Sequence, residues 1–527
     1  MMKLLRKWLI LSHRYAGIVL SLFVVLWFAT GITMMYAGGM PRLTPEMRLE
    51  KLPSLDLARV RLTPAEGAEA GLIERPGRTV LLSIMGRPAY RFGAGETTTV
   101  FADSGEVMEG ATLAQALTIA SRFAGVTEDQ VTHVVTLDRV DQWTLVQSRL
   151  PLHKFRVNDE RGTELYVSPA TGEVTMATTR SGRALAWIST IPHFLYFSAL
   201  RENQPVWYQV VVWTSGLVCA LAVLGLVLGV VQTARQKYTG AMKWHYVTGL
   251  VFGVFTATWA FSGLLSMEPF EWTNSQPLEV SRSVFTGGPI DLGKYAAMKP
   301  AEWEHLVDGR GIKEIELSRI QDEHYYVVRL AHDPEADKRP ERLHQPYYIT
   351  GRAETDRLLV RADTLQVRRE PFSTESLVAR LRGELPDVPI VEQQLLTEYD
   401  AYYYSRQHLT PLPVLRVKFA DPGETWFYID PSNSAMLSQV TRLSRIERWL
   451  YNGLHSLDFP FWYDTRPAWD IVMLVLLLGG LISSSVGLVL GFSRVARGVR
   501  RLAPAGSAAP APAPPASAPG PLQERDA

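Results

Sequence analysis

The chain has very little cysteine and almost no net charge. Its 527 residues include one cysteine, Cys219, which excludes an intramolecular disulfide, a CxxC redox pair, a Cys-ligated iron–sulfur cluster and covalent c-type haem attachment. The net charge of +1 gives no basis for nucleic-acid binding. HExxH, a Gly-rich phosphate loop and a dinucleotide fingerprint are also missing from the sequence. Any redox centre therefore needs ligands other than thiolate, and no nucleotide domain is expected.

Charged residues are also rare in four apolar runs, where Asp470, next to the start of the fourth run, is the one internal exception. Each run is long enough to cross a bilayer, which takes about 20 residues. The predicted spans are Arg14 to Tyr36, Tyr208 to Val231, Tyr246 to Met267 and Trp469 to Phe492. The first run has features of a cleavable signal peptide, but its apolar core is long and the third run repeats its sequence. An uncleaved helix is therefore the favoured interpretation.

Most of the positive charge near the ends of the four runs lies at one side. It lies at Lys3, Arg6 and Lys7, at Arg235, Lys237 and Lys243, and at Arg494, Arg497, Arg500 and Arg501. Because Lys and Arg are enriched in cytoplasmic loops, this asymmetry predicts cytoplasmic N- and C-termini in a bacterial inner membrane. The two long segments between spans are then periplasmic. The tail beyond Arg501, rich in Ala and Pro, is predicted to be disordered.

The two halves of the chain repeat each other. HRYAGIVLSLFVVLWFATGITMM, from His13, aligns without gaps to HYVTGLVFGVFTATWAFSGLLSM, from His245, with seven identities in 23 positions. At an offset of 262, Thr179 to Gly229 aligns with Thr441 to Gly491, with fifteen identities in 51 positions. Each half reads as a helix out, a periplasmic domain and a helix back. Both halves start at the same face, so they are parallel repeats related by a pseudo-two-fold axis along the membrane normal.

This duplication predicts a membrane α+β fold. Its parts are a four-helix transmembrane bundle, built from the two parallel repeats, and two periplasmic α+β domains. Helices are expected at LAQALTIASRFAG and STESLVARLRGEL, and strands near Ala401 to Tyr404, Val414 to Phe419 and Trp426 to Ile429. The predicted boundaries are 1–37 (helix 1), 38–184 (domain 1), 185–232 (histidine segment and helix 2), 233–245 (link), 246–267 (helix 3), 268–445 (domain 2, with an insertion around Ala331 to Arg357), 446–493 (histidine segment and helix 4) and 494–527 (basic end and tail).

Four of the eleven histidines form two repeat-related pairs. His13 and His245 begin helices 1 and 3, whereas His193 and His455 lie just ahead of helices 2 and 4. The pseudo-two-fold axis places the members of each pair opposite one another. Two imidazoles facing across an aromatic-lined gap can bind haem iron from both sides. The sequence therefore predicts two non-covalent b haems, one near each face. Interfacial histidines bonded to backbone or lipid headgroups are the alternative.

Other residues are weaker candidates. Met35 and Met267 could supply an axial thioether or simply pack, and Trp27 and Trp259 could line the gap between haems or pack. Cationic partners for haem propionates, or for lipid headgroups, are Arg14, Arg180, Arg183, Arg442 and Arg445. A speculative substrate surface, which could equally be a buried strand with one aromatic edge, consists of Tyr402, Tyr403, Tyr404 and Arg406.

These motifs resemble the PepSY-associated transmembrane helix family of bacterial membrane proteins. HRYAGIVLSLFVVLWFATG and its copy match the family's opening helix, PHFLYF and LHSLDF its histidine motif, and YVSPATGEV and YIDPSNSAM the end of a PepSY domain. The resemblance covers nearly everything except the tail. One copy of the histidine motif departs from the pattern, because Pro192 stands where leucine is usual.

The resemblance implies a function. Members of the family act as di-haem ferric-siderophore reductases, with histidines on the four spanning helices as ligands, and all four positions here keep His. It implies PepSY-like periplasmic domains, haem b iron held by His13, His245, His193 and His455, and reduction of a periplasmic ferric-siderophore. Quinol or a separate cytoplasmic reductase is the expected electron donor. Copper is another possible acceptor. The alternative function is a haem-free membrane protein that binds peptide or regulates a periplasmic protease.

Overall fold

The computed structural model describes residues 2–502 apart from 95, 146–149, 233–236, 275–277, 282, 297, 333–356 and 406–409. The tail and most of the predicted insertion lie outside these residues. The α-helices are, in chain order, α1 (Met2–Ala37), α2 (Pro45–Lys51), α3 (Pro64–Ala70), α4 (Leu113–Ala124), α5 (Arg180–Ile188), α6 (Thr190–Phe194), α7 (Ser198–Arg201), α8 (Gln204–Gln232), α9 (Gly240–Leu265), α10 (Ser283–Thr286), α11 (Pro300–Glu304), α12 (Thr374–Glu384), α13 (Arg442–Arg448), α14 (Leu454–Ser456) and α15 (Ala468–Leu502).

The strands form three antiparallel sheets. They are β1 (Arg78–Ile84), β2 (Arg87–Ala94), β3 (Glu96–Phe101), β4 (Val131–Leu137), β5 (Leu152–Val157), β6 (Glu164–Ser168), β7 (Glu173–Thr178), β8 (Ile312–Ile320), β9 (Glu323–Leu330), β10 (Arg357–Arg361), β11 (Val367–Arg368), β12 (Ile390–Leu396), β13 (Val414–Phe419), β14 (Trp426–Asp430) and β15 (Ala435–Val440).

Four helices, α1, α8, α9 and α15, are long and apolar enough to cross a membrane. They contain the four predicted spans almost entirely, and most of them extend past the predicted ends; α9, for example, begins at Gly240 rather than Tyr246. Close packing between them depends on two small residues of α15. A Cβ at Gly479 would overlap the ring of Phe252, and one at Gly480 the ring of Phe28. The chain is a multi-pass membrane protein with an α+β part outside the bundle.

The bundle has two distinct ends. The N-termini of α1 and α9 lie at one end, where His13 is close to His245; we call it the link face, because α8 ends and α9 begins there. The opposite end carries all three sheets and is called the domain face. Short helices connect the sheets to the bundle at the domain face: α5, α6 and α7 precede α8, whereas α13, a π-helical turn (Trp449–Gly453) and α14 precede α15.

Two of the sheets repeat one design. The sheet β4-β5-β6-β7 packs on α4, and the sheet β12-β13-β14-β15 packs on α12. The helix α4 is closed at its start by a capping box between Thr112 and Gln115, and it ends at Gly125 with φ of 73°. Both helices and the strands β13 and β14 fall where the sequence predicts them. The helix-on-sheet prediction is therefore confirmed for both segments.

The third sheet combines strands from both halves of the chain. Its order is β11-β10-β9-β8-β1-β2-β3, and β1 pairs with β8 from Thr79 opposite Leu317 to Leu82 opposite Glu314. Side chains of β1 alternate between two cores, with Leu81 on one face and Leu82 on the other. The sequence did not predict this sheet, which joins the segments 38–184 and 268–445 into one structure.

The strand predicted at Ala401 to Tyr404 is wrong. These residues form a turn because the carboxylate of Asp400 accepts hydrogen bonds from the backbone N–H groups of Tyr402 and Tyr403, both at 2.8 Å. An Asp that binds the backbone two or three residues ahead competes with strand pairing. The edge strand β12 ends earlier, at Leu396.

A buried ion network fastens the combined sheet to the first four-stranded sheet. Glu173 of β7 accepts from Arg48 of α2 at 2.7 Å and from Arg91 of β2, and Arg48 also reaches Glu314 of β8 at 3.0 Å. Burial alone would raise the pKa of Glu173, but the charges of Arg91 and Arg48 outweigh it and leave the pKa below its usual value. The network therefore stabilises the fold while Glu173 is ionised.

We expect Glu173→Gln to lower the free energy of unfolding by about 3–5 kcal/mol at pH 7, because it leaves two arginines without their shared anion. Since the pKa of Glu173 is lowered on folding, its contribution is present above the unfolded value of about 4.3 and is lost as the pH falls further. The wild-type thermal midpoint should therefore fall more steeply in acid than that of the variant. The control is Glu106→Gln, whose carboxylate pairs with Arg87 but is 61% exposed. An equal loss in both variants would contradict the assignment.

Candidate functional site

Both predicted histidine pairs form. His13 of α1 faces His245 of α9 at the link face, with ring centroids 6.3 Å apart and ring planes inclined by 33°. His193 of α6 faces His455 of α14 at the domain face, also at 6.3 Å, with planes inclined by 83°. The structure thus brings together all four residues that sequence comparison selected, in the predicted pairing.

This spacing fits a single metal between the rings of each pair. Imidazole nitrogen binds a metal at about 2.0 Å, and the ring centre lies about 1.2 Å behind that nitrogen, so a linear arrangement separates the two centres by about 6.4 Å. The observed 6.3 Å in both pairs is within 0.1 Å or so of this value. The chemistry of the donor set, two neutral imidazoles on opposite sides, is that of bis-imidazole haem.

Hydrogen bonds at the domain face leave Nε2 available. The Thr30 hydroxyl donates to the carbonyl of Leu26 at 2.7 Å, so its oxygen accepts from Nδ1–H of His193 at 3.0 Å. In the other half the Ser262 hydroxyl donates to the Trp259 carbonyl and accepts from Nδ1–H of His455 at 2.9 Å. Thr30 and Ser262 are aligned in the repeat. A proton on Nδ1 leaves the Nε2 lone pair free to bind a metal.

The link face uses a backbone carbonyl for the same purpose. Nδ1 of His245 lies 3.1 Å from the carbonyl oxygen of Ser483, which can only accept, so Nδ1 carries the proton. The aligned residue in the first half is Leu221, whose backbone interacts with His13, although Nδ1 of His13 makes no hydrogen bond of normal geometry. Hydrogen bonds thus leave Nε2 free on three of the four rings, those of His193, His455 and His245.

Aligned glycines make room for all four rings. A Cβ at Gly225 would stand 2.8 Å from Cε1 of His13, and one at Gly487 would stand 3.0 Å from Cε1 of His245. At the domain face a Cβ at Gly31 or Gly263 would lie 3.9 Å from Cε1 of His193 or His455. A ring at the link face therefore occupies the volume that any larger residue would fill.

Aligned tryptophans anchor the two histidine segments to the bundle. The indole N–H of Trp207 on α8 donates to the carbonyl of Phe194, directly after His193, at 2.9 Å. Trp469 on α15 donates in the same way to Ser456, directly after His455, at 3.1 Å. Burial, aided by the neighbouring His455, lowers the pKa of His193 to about 3. The ring is therefore neutral and able to bind a metal at any physiological pH.

A cavity of about 960 Å³ surrounds the domain-face pair. This volume is at the upper end of ligand sites, which are about 300–1,000 Å³. The cavity extends from Trp27 and Trp259 in the bundle to Met40 and the exposed Arg42 outside it. Both histidines line it, and so do the repeat-related Met35 and Met267, together with Phe28, Trp207, Met473 and Leu477. An apolar, aromatic-lined cavity beside paired imidazoles suits a flat macrocycle.

The tryptophans at the inner end of the cavity lack hydrogen-bond partners. The indole Nε1 atoms of Trp27 and Trp259 are both buried and unpartnered in the part of the chain that the structure describes. Buried indole N–H groups usually find an acceptor. The unpartnered donor occurs at the same position in both halves of the chain. The prediction that these tryptophans line the gap fits their position.

None of the five predicted propionate partners lines the cavity. Arg183 bonds the Gly162 carbonyl at 3.0 Å and Thr178, and Arg445 bonds Glu424 at 3.1 Å. Arg442 lies 3.7 Å from the same glutamate, and the Arg180 side chain packs against Gly162. These arginines hold α5 and α13 to the turns between the second and third strands of each four-stranded sheet. Arg14, the fifth, is half-buried beside His13.

The predicted substrate tyrosines pack inside the second four-stranded domain. Tyr403 is 2% exposed and stacks on Tyr428 at 4.9 Å, and Tyr402 packs between Trp426 and Trp449. The hydroxyl of Tyr404 donates to Asp458 at 2.8 Å. None of the three lines the cavity, and Arg406 lies outside the described residues. The alternative, a buried strand with one aromatic edge, is right about the burial of Tyr403 but wrong about the strand, and Tyr402 and Tyr404 are half-buried.

Four charged residues that were not predicted from the sequence line the cavity. They are Arg42, Glu268, Glu447 and Arg466. Among the site residues that were not predicted, Thr30, Ser262 and the four glycines could have been found from the sequence, because they are aligned in the two halves. The four charged residues are not repeated between halves, so duplication could not have found them.

Comparison with known proteins identifies the family of this chain. A search of curated proteins finds no match to the chain. The model of the PepSY-associated TM region matches residues 10–493, which includes all four spanning helices and the sheets between them. The chain therefore belongs to the PepSY-associated transmembrane family.

Proposed function

We propose that this protein is a di-haem b-type electron-transfer protein of the bacterial inner membrane, which reduces ferric-siderophores at its periplasmic side. The observation that carries the proposal is the equal 6.3 Å separation of two independent histidine pairs, one at each face of the bundle. Chance packing of four histidines would give no reason for one shared spacing. In this proposal the two halves are parallel repeats about a pseudo-two-fold axis, with PepSY-like domains at the domain face.

The basic residues at the link face support a cytoplasmic position for both termini. Electrons then enter at the His13–His245 pair, from quinol or from a separate cytoplasmic reductase, and leave at the His193–His455 pair. When bound, haem supplies reversible one-electron chemistry at each pair. Siderophores hold ferric iron tightly and ferrous iron poorly, so one electron is enough to release the metal.

The chain's own residues set the conditions for this transfer. Thr30 and Ser262 keep the proton on Nδ1 of the domain-face histidines, so that Nε2 would be available to hold the iron. The apolar cavity wall would exclude water from the metal, and the exposed Arg42 lies at the end of the cavity outside the bundle. Propionates would meet Arg42 and Arg466 in the cavity wall, in place of the arginines of α5 and α13.

The test is an absorbance spectrum and haem assay of protein purified in detergent. We expect about two haems per chain and a dithionite-reducible α band. His193→Ala and His455→Ala should each reduce the content to about one, because a bis-imidazole site loses an axial ligand. The control is His305→Ala, since His305 is exposed and bonds only its own helix, at Ala301.

Absence of a Soret band in the wild type would end the haem proposal and favour a haem-free peptide-binding or regulatory protein. The acceptor is tested separately, by mixing the reduced protein with ferric-siderophore and with cupric chelates. We expect ferric-siderophore to reoxidise the protein quickly. Reoxidation by the cupric chelates but not by ferric-siderophore would show that copper, and not iron, is the substrate.

A further inference from the structure

Two carboxylates line the cavity, and both belong to the second half of the chain. Glu447 of α13 and Glu268, three residues after the end of α9, both line the cavity, as the domain-face histidines do. The aligned positions in the first half are Leu185 and Tyr36, so duplication does not account for the pair. Glu268 is held in place by a hydrogen bond from the Thr273 hydroxyl at 2.7 Å and has a positive φ of 46°. A non-glycine residue in this strained conformation is typical of functional sites.

Glu447 has no neutralising partner. It is partly buried, and within the described residues it makes no salt bridge or side-chain hydrogen bond. Burial, followed by the negative charge of Glu268, raises the pKa of Glu447. The guanidinium of Arg466 is already paired with Asp470 and stacks on Trp469 at 4.0 Å. The other titratable or charged groups that face the cavity are Arg42, Tyr196, Tyr451, Tyr463, His193 and His455.

The proposed reaction needs a proton donor, and such a carboxyl group can supply the proton. After one-electron reduction, the oxygen that bound ferric iron is still an anion and can recapture the metal. Protonation of that oxygen opposes recapture. A carboxyl group whose pKa is raised by burial, on the wall of the cavity that also contains the domain-face histidines, is the kind of group that performs general acid catalysis.

We propose that Glu447 is the general acid that protonates the chelate as iron leaves, with Glu268 as the residue that keeps it protonated; this inference rests on the proposed ferric-siderophore reduction. One electron from the domain-face centre reduces Fe(III) to Fe(II). As the Fe–O bond breaks, the carboxyl proton of Glu447 passes to the ligand oxygen. The Glu447 carboxylate then recovers a proton from water.

The test compares two acceptors of different chemistry. Ferricyanide accepts one electron without losing a ligand or gaining a proton, whereas a ferric trihydroxamate must release its metal. With reduced, haem-loaded protein, we expect Glu447→Gln to reduce the trihydroxamate at about one hundredth of the wild-type rate and ferricyanide at the wild-type rate. The control is Glu271→Gln, on the same segment as Glu268 but exposed and outside the cavity lining. It should match the wild type with both acceptors.

A pH profile separates proton donation from a structural role. Reduction of the trihydroxamate should slow as the pH rises through the pKa of Glu447. Glu268→Gln removes the neighbouring negative charge, lowers that pKa and should move this decline to lower pH. In Glu447→Gln the decline should disappear.

Three results would overturn the inference. They are equal slowing of both acceptors by Glu447→Gln, an effect on KM with kcat unchanged, and a pH profile that Glu268→Gln does not shift. Failure of the wild type to reduce the trihydroxamate, with ferricyanide still reduced, would instead remove the proposed function. The absorbance spectrum of each variant shows that the protein is folded and loaded.

Discussion

Replacing Gly225 by valine is expected to remove one haem and leave the other in place. A Cβ at this position would stand 2.8 Å from Cε1 of His13, and valine adds two further carbons. The ring must then turn away from His245, and the 6.3 Å spacing of the link-face pair is lost. Haem content should fall from about two to about one per chain, because one axial ligand no longer reaches the iron. The pyridine haemochrome assay measures this directly.

The matched control is Gly17→Val, on the same helix as His13. A Cβ at Gly17 meets no atom within 4 Å, so this variant should keep both haems. Gly487→Val, which places a Cβ 3.0 Å from Cε1 of His245, should repeat the loss seen at Gly225. If Gly225→Val and Gly487→Val both kept two haems with an unchanged spectrum, the link-face pair could not be a ligand pair.

Removing the two hydroxyls behind the domain-face rings should weaken haem binding there. Thr30→Val combined with Ser262→Ala deletes the oxygen atoms that lie 3.0 and 2.9 Å from Nδ1 of His193 and His455. Loss of such partners typically costs about 10–100-fold in metal affinity. Titration of haem into apoprotein should show this loss at one of the two sites, with the link-face site unaffected.

Thr248→Val is the control for this pair. Thr248 lies on α9, like Ser262, but its exposed hydroxyl bonds only the carbonyl of Trp244 in its own helix. Its removal should leave both affinities unchanged. Equal affinities in the double variant and in this control would show that the hydroxyls do not orient the rings.

Sequence alone predicted the bundle and the histidine pairs, because both depend on features that are local or repeated. A long apolar run can be recognised without knowing what it packs against. Because parallel repeats place aligned residues opposite one another, the alignment of His13 with His245 predicts that the two side chains face each other. The hydroxyls at Thr30 and Ser262 were aligned too. Their role became visible only when α6 and α14 were placed against α1 and α9, since nothing in the sequence fixes how those short helices dock.

The arginines that were predicted to pair with haem propionates lie outside the cavity for a physical reason. Arg183 and Arg445 were selected by their distance along the chain from the histidines, but nearer acceptors, Gly162 and Glu424, use their guanidinium groups. Sequence spacing cannot rank competing partners that the fold brings close. The same holds for the cavity lining, where Glu268 and Glu447 come from segments far apart in the chain and are not repeated.

The pairing of β1 with β8 makes the two halves depend on each other during synthesis. When the first half has been translated and inserted, β1 has β2 on one side and an open edge on the other. That edge consists of unpaired backbone groups, which invite association with other chains until the second half arrives. The protein therefore reaches its finished outer part only late in translation, and a gene cut between the two halves would have to supply both products in the same membrane.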